Sequence, residues 1–170
     1  MLTLNLSQAL VYISQLYRPA LILRGVPGSG KSGLVQALRK EYGADLVHCS
    51  ADNYRVKDGS YVFDRRDNQK FHGMCLKAYI EAAPTNREIL VCDNTNTTVA
   101  EVAPYVSVAQ AYERSPTVLT FVAPPEVAFA RGRHGVPLDK IRHMARRLED
   151  ASKRFPSHWN HVEVFTGDVL

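Results

Sequence analysis

The stretch Gly25-Val26-Pro27-Gly28-Ser29-Gly30-Lys31-Ser32 decides how this 170-residue chain is read. It satisfies the pattern G-x-x-x-x-G-K-[S/T] at every fixed position. Gly25, Gly28 and Gly30, with Pro27 and Ser29 between them, permit a turn whose backbone N–H groups point inward at phosphate oxygens without side chains blocking the approach. The helix expected after the turn offers its positive dipole end to the same anion. In that setting Lys31 reaches the β- and γ-phosphates of a nucleoside triphosphate, and the Ser32 hydroxyl ligates Mg²⁺. Both flanks are the ones the motif requires. An apolar run at 20–23 reads as a strand, and Lys31–Tyr42 has helical spacing at Leu34 and Leu38 before a stop at Gly43.

Outward from this turn, apolar runs alternate with amphipathic segments, the pattern of βαβ units on a parallel sheet. A short helix is expected over 6–17, strands over 46–49, 89–92 and 118–122, and helices over 66–83 and 98–113. The helix at 66–83 is expected to turn Phe71, Cys75, Leu76 and Ile80 inward. Asp58-Gly59, set between Val56 and Tyr61-Val62-Phe63, predicts a small hairpin. Pro124-Pro125 opens a further helix, where proline loses no hydrogen bond. Gly135-Val136-Pro137 starts another over 138–149, with Leu138, Ile141, Met144 or Ala145, and Leu148 inward. Residues 162–165 alternate like a closing strand.

Composition bounds the function classes. Hydrophobic residues make up 45% and charged residues 22%, as in ordinary globular proteins, and the length predicts a single domain over 1–170. No run approaches the length of a membrane helix, and residues 1–17 do not read as a signal peptide. Cys49, Cys75 and Cys92 are scattered without metal spacing, which predicts reduced, buried thiols and a cytoplasmic setting. His158 and His161 have no nearby cysteine or carboxylate pair, so Trp159 and its neighbours read as terminal packing. Charge is uneven. Between Arg131 and Arg154 lie eight basic residues (Arg131, Arg133, Lys140, Arg142, Arg146, Arg147, Lys153, Arg154) against Asp139, Glu149 and Asp150, more than the whole net charge of +4. Such a stripe suits phosphates, of a nucleotide or of a nucleic-acid backbone.

A phosphate cradle alone does not separate GTPases, motors and kinases. There is no Asn-Lys-x-Asp run to read guanine, and no Glu beside Asp93 to activate water, so a small phosphotransferase fits better. Such an enzyme needs a base at the acceptor hydroxyl and positive charge near the γ-phosphate. Asp52, just beyond the second strand, at 46–49, is placed for the first task, and Arg55 for a substrate phosphate. Asp93 and Asn94 follow the strand at 89–92 and are expected on the substrate side, where Asp93 also suits second-shell magnesium binding or the orientation of polar groups. Arg131 and Arg133, beside Gly132 and Gly135, suit a closing lid.

These segments together resemble the polynucleotide kinase-like P-loop kinases, the family of the 5′-hydroxyl kinase domain in phage end-healing enzymes. The match runs from about residue 20 to 150 and rests on GVPGSGKS at 25–32, SADNYR at 50–55, DNTN at 93–96 and ARGRHGVPLDKIRHM at 130–144. The resemblance implies an α/β three-layer sandwich, a mostly parallel central sheet flanked by helices, with a helical lid at roughly 125–150. It implies ATP and Mg²⁺ as cofactors, Asp52 as general base, Arg55 on a phosphate of the acceptor strand, Asp93 in support, and Arg131 on the transferring phosphate. Three positions depart from the family pattern: Asn53 replaces an acidic residue, Gly33 a threonine, and Val127 a second lid arginine.

The expected function is therefore transfer of the ATP γ-phosphoryl group to a nucleic-acid hydroxyl, foremost the 5′-hydroxyl end of DNA or RNA. The alternatives are another hydroxyl, such as a hydroxymethylated base in DNA or a small metabolite, and an ATP-binding switch without transfer.

Overall fold

The computed structural model describes residues 2–57, 60–62, 64–132 and 135–167. Along them run β1 (Leu2–Leu4), α1 (Leu6–Ser14), β2 (Pro19–Arg24), α2 (Lys31–Tyr42), β3 (Leu46–Cys49), β4 (Val56–Lys57), β5 (Ser60–Tyr61), α3 (Asn68–Ala82), β6 (Ile89–Asp93), α4 (Val99–Ala111), β7 (Ser115–Val122), α5 (Pro125–Arg131), α6 (Leu138–Ser152) and β8 (Asn160–Phe165). Single 3₁₀ turns at Gly43–Asp45, Ala51–Tyr54 and Arg65–Asp67 join some of them.

Six strands form one sheet in the order β1-β8-β7-β2-β6-β3, and every neighbouring pair is parallel. β2 lies inside the sheet with all six residues buried, which is why it reads as an unbroken apolar run rather than an alternation. Its side chains still divide between two cores. Leu21 and Leu23 join Val91, Leu119 and Val162 against Ile13 of α1 and Leu34 and Leu38 of α2. Ile22 joins Leu90, Cys92 and Val118 against Cys75 and Tyr79 of α3 and Val102, Tyr105 and Val106 of α4. Helices thus cover both faces, giving the three-layer α/β sandwich of the P-loop kinase type. A third cluster, Val26 with Ala128, Ile141 and Leu148, seats α5 and α6 on the loop after β2.

The structure corrects several expectations. Phe71, Cys75 and Leu76 face the core as expected, but the seam of α3 continues through Tyr79 to Ala83 just past its end, both fully buried, while Ile80 is 41% exposed. Spacing by four keeps these residues under α4, where the Tyr79 ring meets Tyr105 edge-on at 5.0 Å. β1 has no counterpart in the sequence reading; three residues are too few to show a period, and the strand exists because β8 offers it a parallel partner. The closing helix α6 continues to Ser152, and β7 begins at Ser115. β4 and β5 pair antiparallel as the hairpin reading requires, but its turn, Asp58-Gly59, lies outside the described residues.

Candidate functional site

Because the sheet is parallel, β2, β3, β6 and β7 all deliver their carboxyl ends to one edge, where open α/β sheets collect ligands. The loop after β2 is held there from both sides. Gly25 N–H donates to the Thr95 carbonyl at 3.0 Å, and Asn96 Nδ2 donates to the Leu23 carbonyl at 2.8 Å. Gly28 has φ +80°, and a Cβ at that position would overlap the backbone of Ala128 in α5. Gly30, at φ +95°, caps α2 with no side-chain hydrogen bond, so the first-turn N–H groups have no side-chain acceptor. Ser29 is fully buried and its Oγ has no hydrogen-bond partner among the described residues. Lys31 Nζ donates to the Gly25 and Val26 carbonyls at 2.9 and 3.1 Å. Burial pulls its pKa below the ordinary lysine value, against the opposing charges of Asp93 and Asp52. The loop is therefore an anion cradle with surplus donors, which fits a nucleotide's phosphates.

On the β3 side, Ser50 caps a 3₁₀ turn by accepting from Asp52 N–H at 3.3 Å. Asp52 is 56% exposed, and its Oδ1 lies 3.0 Å from Nε of the nearly buried Arg55. Arg55 also donates to Asn68 Oδ1 at 2.6 Å and stands over the Phe71 ring at 5.4 Å. The arginine is thus packed into the site wall behind the carboxylate. At the end of β6, Asp93 Oδ2 meets His48 Nε2 at 3.3 Å, and His48 Nδ1 meets Arg39 at 3.3 Å. Asn94 turns the other way. Its Oδ1 accepts from Ala51 N–H at 2.9 Å, and its Nδ2 faces Cys75 Sγ at 3.3 Å and Cys92 Sγ and the Tyr105 hydroxyl at 3.5 Å each.

The three cysteines, distant in sequence, are free and buried, and Cys75 and Cys92 line this carboxamide. Hydrogen bonding with Cys92, Asn94 and Tyr105 pulls the Cys75 thiol down, against the effect of burial. Burial pushes Cys49 up to about 12.

On the α5 side, Arg131 donates to the Thr166 carbonyl at 2.6 Å, and Thr166 Oγ1 donates to the Ser29 carbonyl at 2.7 Å. The guanidinium is therefore one residue away from the cradle. Arg133 lies outside the described residues, as does His134. The basic stripe is partly neutralised within itself: Arg142 pairs with Glu126 at 2.9 Å and Asp139 at 3.3 Å, and Lys153 with Glu149 at 2.8 Å. Arg146 and Arg147 are exposed with no acidic partner among the described residues.

The fold therefore brings Lys31, Asp52, Arg55, Asp93 and the loop glycines to one edge, with Arg131 at its rim. Sequence reasoning missed His48, Arg39 and Arg24. Arg24 is fully buried and donates to the Asn96 and Leu148 carbonyls, Thr120 Oγ1 and Ser152 Oγ, tying β2 to α6. Burial lowers its pKa to about 10. A basic residue at a strand end looks like surface; only the arrival of α6 makes it a hub.

This arrangement defines a P-loop kinase fold, built to hold a nucleotide beside an acidic crevice. The chain belongs to the AAA domain family whose model matches residues 21–155, a group of P-loop kinases that includes the polynucleotide kinase Pnkp1. It is 33% identical over 128 residues to human (Homo sapiens) NEDD4-binding protein 2, covering 72% of this chain and 7% of that protein. Among solved structures it is similar to a chain of the Pnkp1/Rnl/Hen1 RNA repair complex, with a TM-score of 0.67 at 21% identity over 84% of this chain and 47% of that one. It is also similar to a gluconokinase from Sinorhizobium meliloti 1021, with a TM-score of 0.61 at 15% identity over 91% and 86% of the two chains. At these identities the structural likenesses speak for the fold. The chain thus spans a small part of its curated relative and about half of the repair-complex chain.

Proposed function

We propose that this chain, as a single domain with α5 and α6 as its lid, is an ATP-dependent kinase that phosphorylates a nucleic-acid hydroxyl, foremost the 5′-hydroxyl end of DNA or RNA. The observation that carries the reading is Asp52: a solvent-accessible carboxylate, braced by Arg55 at 3.0 Å, whose charge is felt by the cradle lysine. A phosphotransferase needs a base beside the phosphate cradle; Asp93 also acts on the lysine but is engaged by His48, which leaves Asp52 for that task.

The loop N–H groups and Lys31 bind the β- and γ-phosphates and balance their charge. Lys31 leaves the loop carbonyls it now caps to do so. Asp52 takes the proton of the acceptor hydroxyl, whose oxygen attacks the γ-phosphorus while the bond to the β-phosphate oxygen breaks and ADP leaves. Arg131, released from Thr166, meets the charge spread over the transferring group. Ser32 at the start of α2 and Asp93 behind it are oxygen donors suited to Mg²⁺, which supplies further charge neutralisation when bound. His48 fixes the Asp93 carboxylate.

A small-metabolite acceptor is favoured by one observation: Arg142 and Lys153 are already paired, leaving less of the basic stripe for a polymer. Transfer from γ-labelled ATP to a panel of acceptors separates the readings. The panel holds 5′-hydroxyl DNA and RNA, duplex DNA with hydroxymethylated bases, nucleosides and sugar acids. Label on 5′ ends supports the proposal; label on a sugar or nucleoside alone moves the function to a metabolite, and no label with ATP bound leaves a switch.

A further inference from the structure

We propose that Asn94 is a positioning residue that fixes the Asp52-bearing turn to the central sheet through one hydrogen bond. This rests on reading Asp52 as the base. Asn94 is 7% exposed and follows β6, while Asp52 lies in the 3₁₀ turn after the neighbouring strand β3. The two segments meet where Asn94 Oδ1 accepts from Ala51 N–H, one residue before Asp52. That N–H is the first donor of a 3₁₀ turn and has no partner within it. The carboxamide orientation is fixed chemically: the reverse would set its NH₂ against the Ala51 N–H, donor against donor. Cys75, Cys92 and Tyr105 receive the Nδ2 side and hold the plane still.

The consequence is a division of labour across one peptide bond. Asp93 faces the cradle lysine and His48, and Asn94 faces the base-bearing turn. The spacing between the nucleotide side and the acceptor side is set by two consecutive residues on a rigid strand end. Asn94 itself is engaged inward, which leaves acceptor contact to other groups.

The bond can be separated from the bulk at Asn94 itself. Asn94→Leu keeps the side-chain shape and deletes the acceptor. Asn94→Asp keeps an oxygen acceptor for the Ala51 N–H and deletes the NH₂. Steady-state kinetics with the acceptor that the panel identifies and ATP affinity by titration make the test. Asn94→Leu should lower kcat by about 100-fold, the scale of a 1 Å misplacement of a reacting group. Asn94→Asp should recover most of that loss, because the bond to the turn is kept. ATP affinity should stay within about twofold in both, because the cradle does not use this bond.

A near-normal kcat in folded Asn94→Leu, with Asp52→Asn inactive, overturns the Asn94 assignment and leaves the base reading standing. An Asn94→Asp variant as slow as Asn94→Leu overturns it too, since the acceptor oxygen is then not what matters. Transfer that survives Asp52→Asn overturns the base reading, and the Asn94 proposal with it. If Asn94→Leu fails to fold, Asn94→Ala, which deletes the same acceptor with a smaller side chain, carries the kcat comparison.

Discussion

At the scale of single residues, the cradle's tolerances are narrow. Gly28 combines a left-handed φ of +80° with a close approach to the backbone of α5, so a methyl group there is opposed twice. Gly28→Ala should weaken nucleotide binding by at least about tenfold, read by titration with a fluorescent nucleotide, for a strain and clash on the order of 1–3 kcal/mol. His161 gives a pH prediction. Burial, with Arg24 nearby, lowers its pKa to about 4 from a usual 6.5. Above 6.5 both folded and unfolded chains hold it neutral and its contribution is full. As pH falls from 6.5 toward 4 the unfolded chain takes up a proton that the fold refuses, so stability declines. The urea midpoint should drop further between pH 7 and 5 in the wild type than in His161→Gln. The places of Lys31 in the cradle and of Asp52 beyond β3 are legible in sequence, because local spacing carries them. His48 and Arg24 are not, because their partners, Asp93 and Leu148, arrive from 45 and 124 residues away.

At the scale of elements, α1 and α4 begin where side chains satisfy their first N–H groups, and α2 does not. α4 opens with a capping box: Thr98 Oγ1 accepts from Glu101 N–H, and Glu101 Oε2 accepts from Thr98 N–H. Thr98→Ala should cost about 1 kcal/mol in urea unfolding, the usual worth of such a cap. α2 is capped by a glycine with no side chain to give, an end that a phosphate can complete. The bounds of α2 and β3 could be read directly, because Gly30, Gly43 and the strand-end polar residues mark them. The buried side of α3 could not. Tyr79 and Ile80 both suit a buried face, and only the position of Tyr105 decides between them.

At the scale of the whole molecule, a parallel sheet gathers one residue set from four strand ends, which is why motifs spread from 25 to 131 form one site. The alternation of apolar and amphipathic segments made the layered fold legible. The order of its strands required knowing which edge β1 and β8 would share. No helix of the described residues is long and apolar enough to cross a membrane. If the acceptor is a polymer, KM for it should rise steeply with salt while that for ATP changes less, because backbone phosphates displace counterions. Arg146→Gln with Arg147→Gln should flatten that slope by about 2, one unit for each phosphate no longer neutralised. In a kinase of this kind the acceptor is a hydroxyl and not water, which ADP formation with and without a 5′-hydroxyl oligonucleotide tests. ADP should depend on the oligonucleotide and match new 5′-phosphates one for one. ADP released at the same rate without any oligonucleotide would contradict it and make the protein a hydrolase.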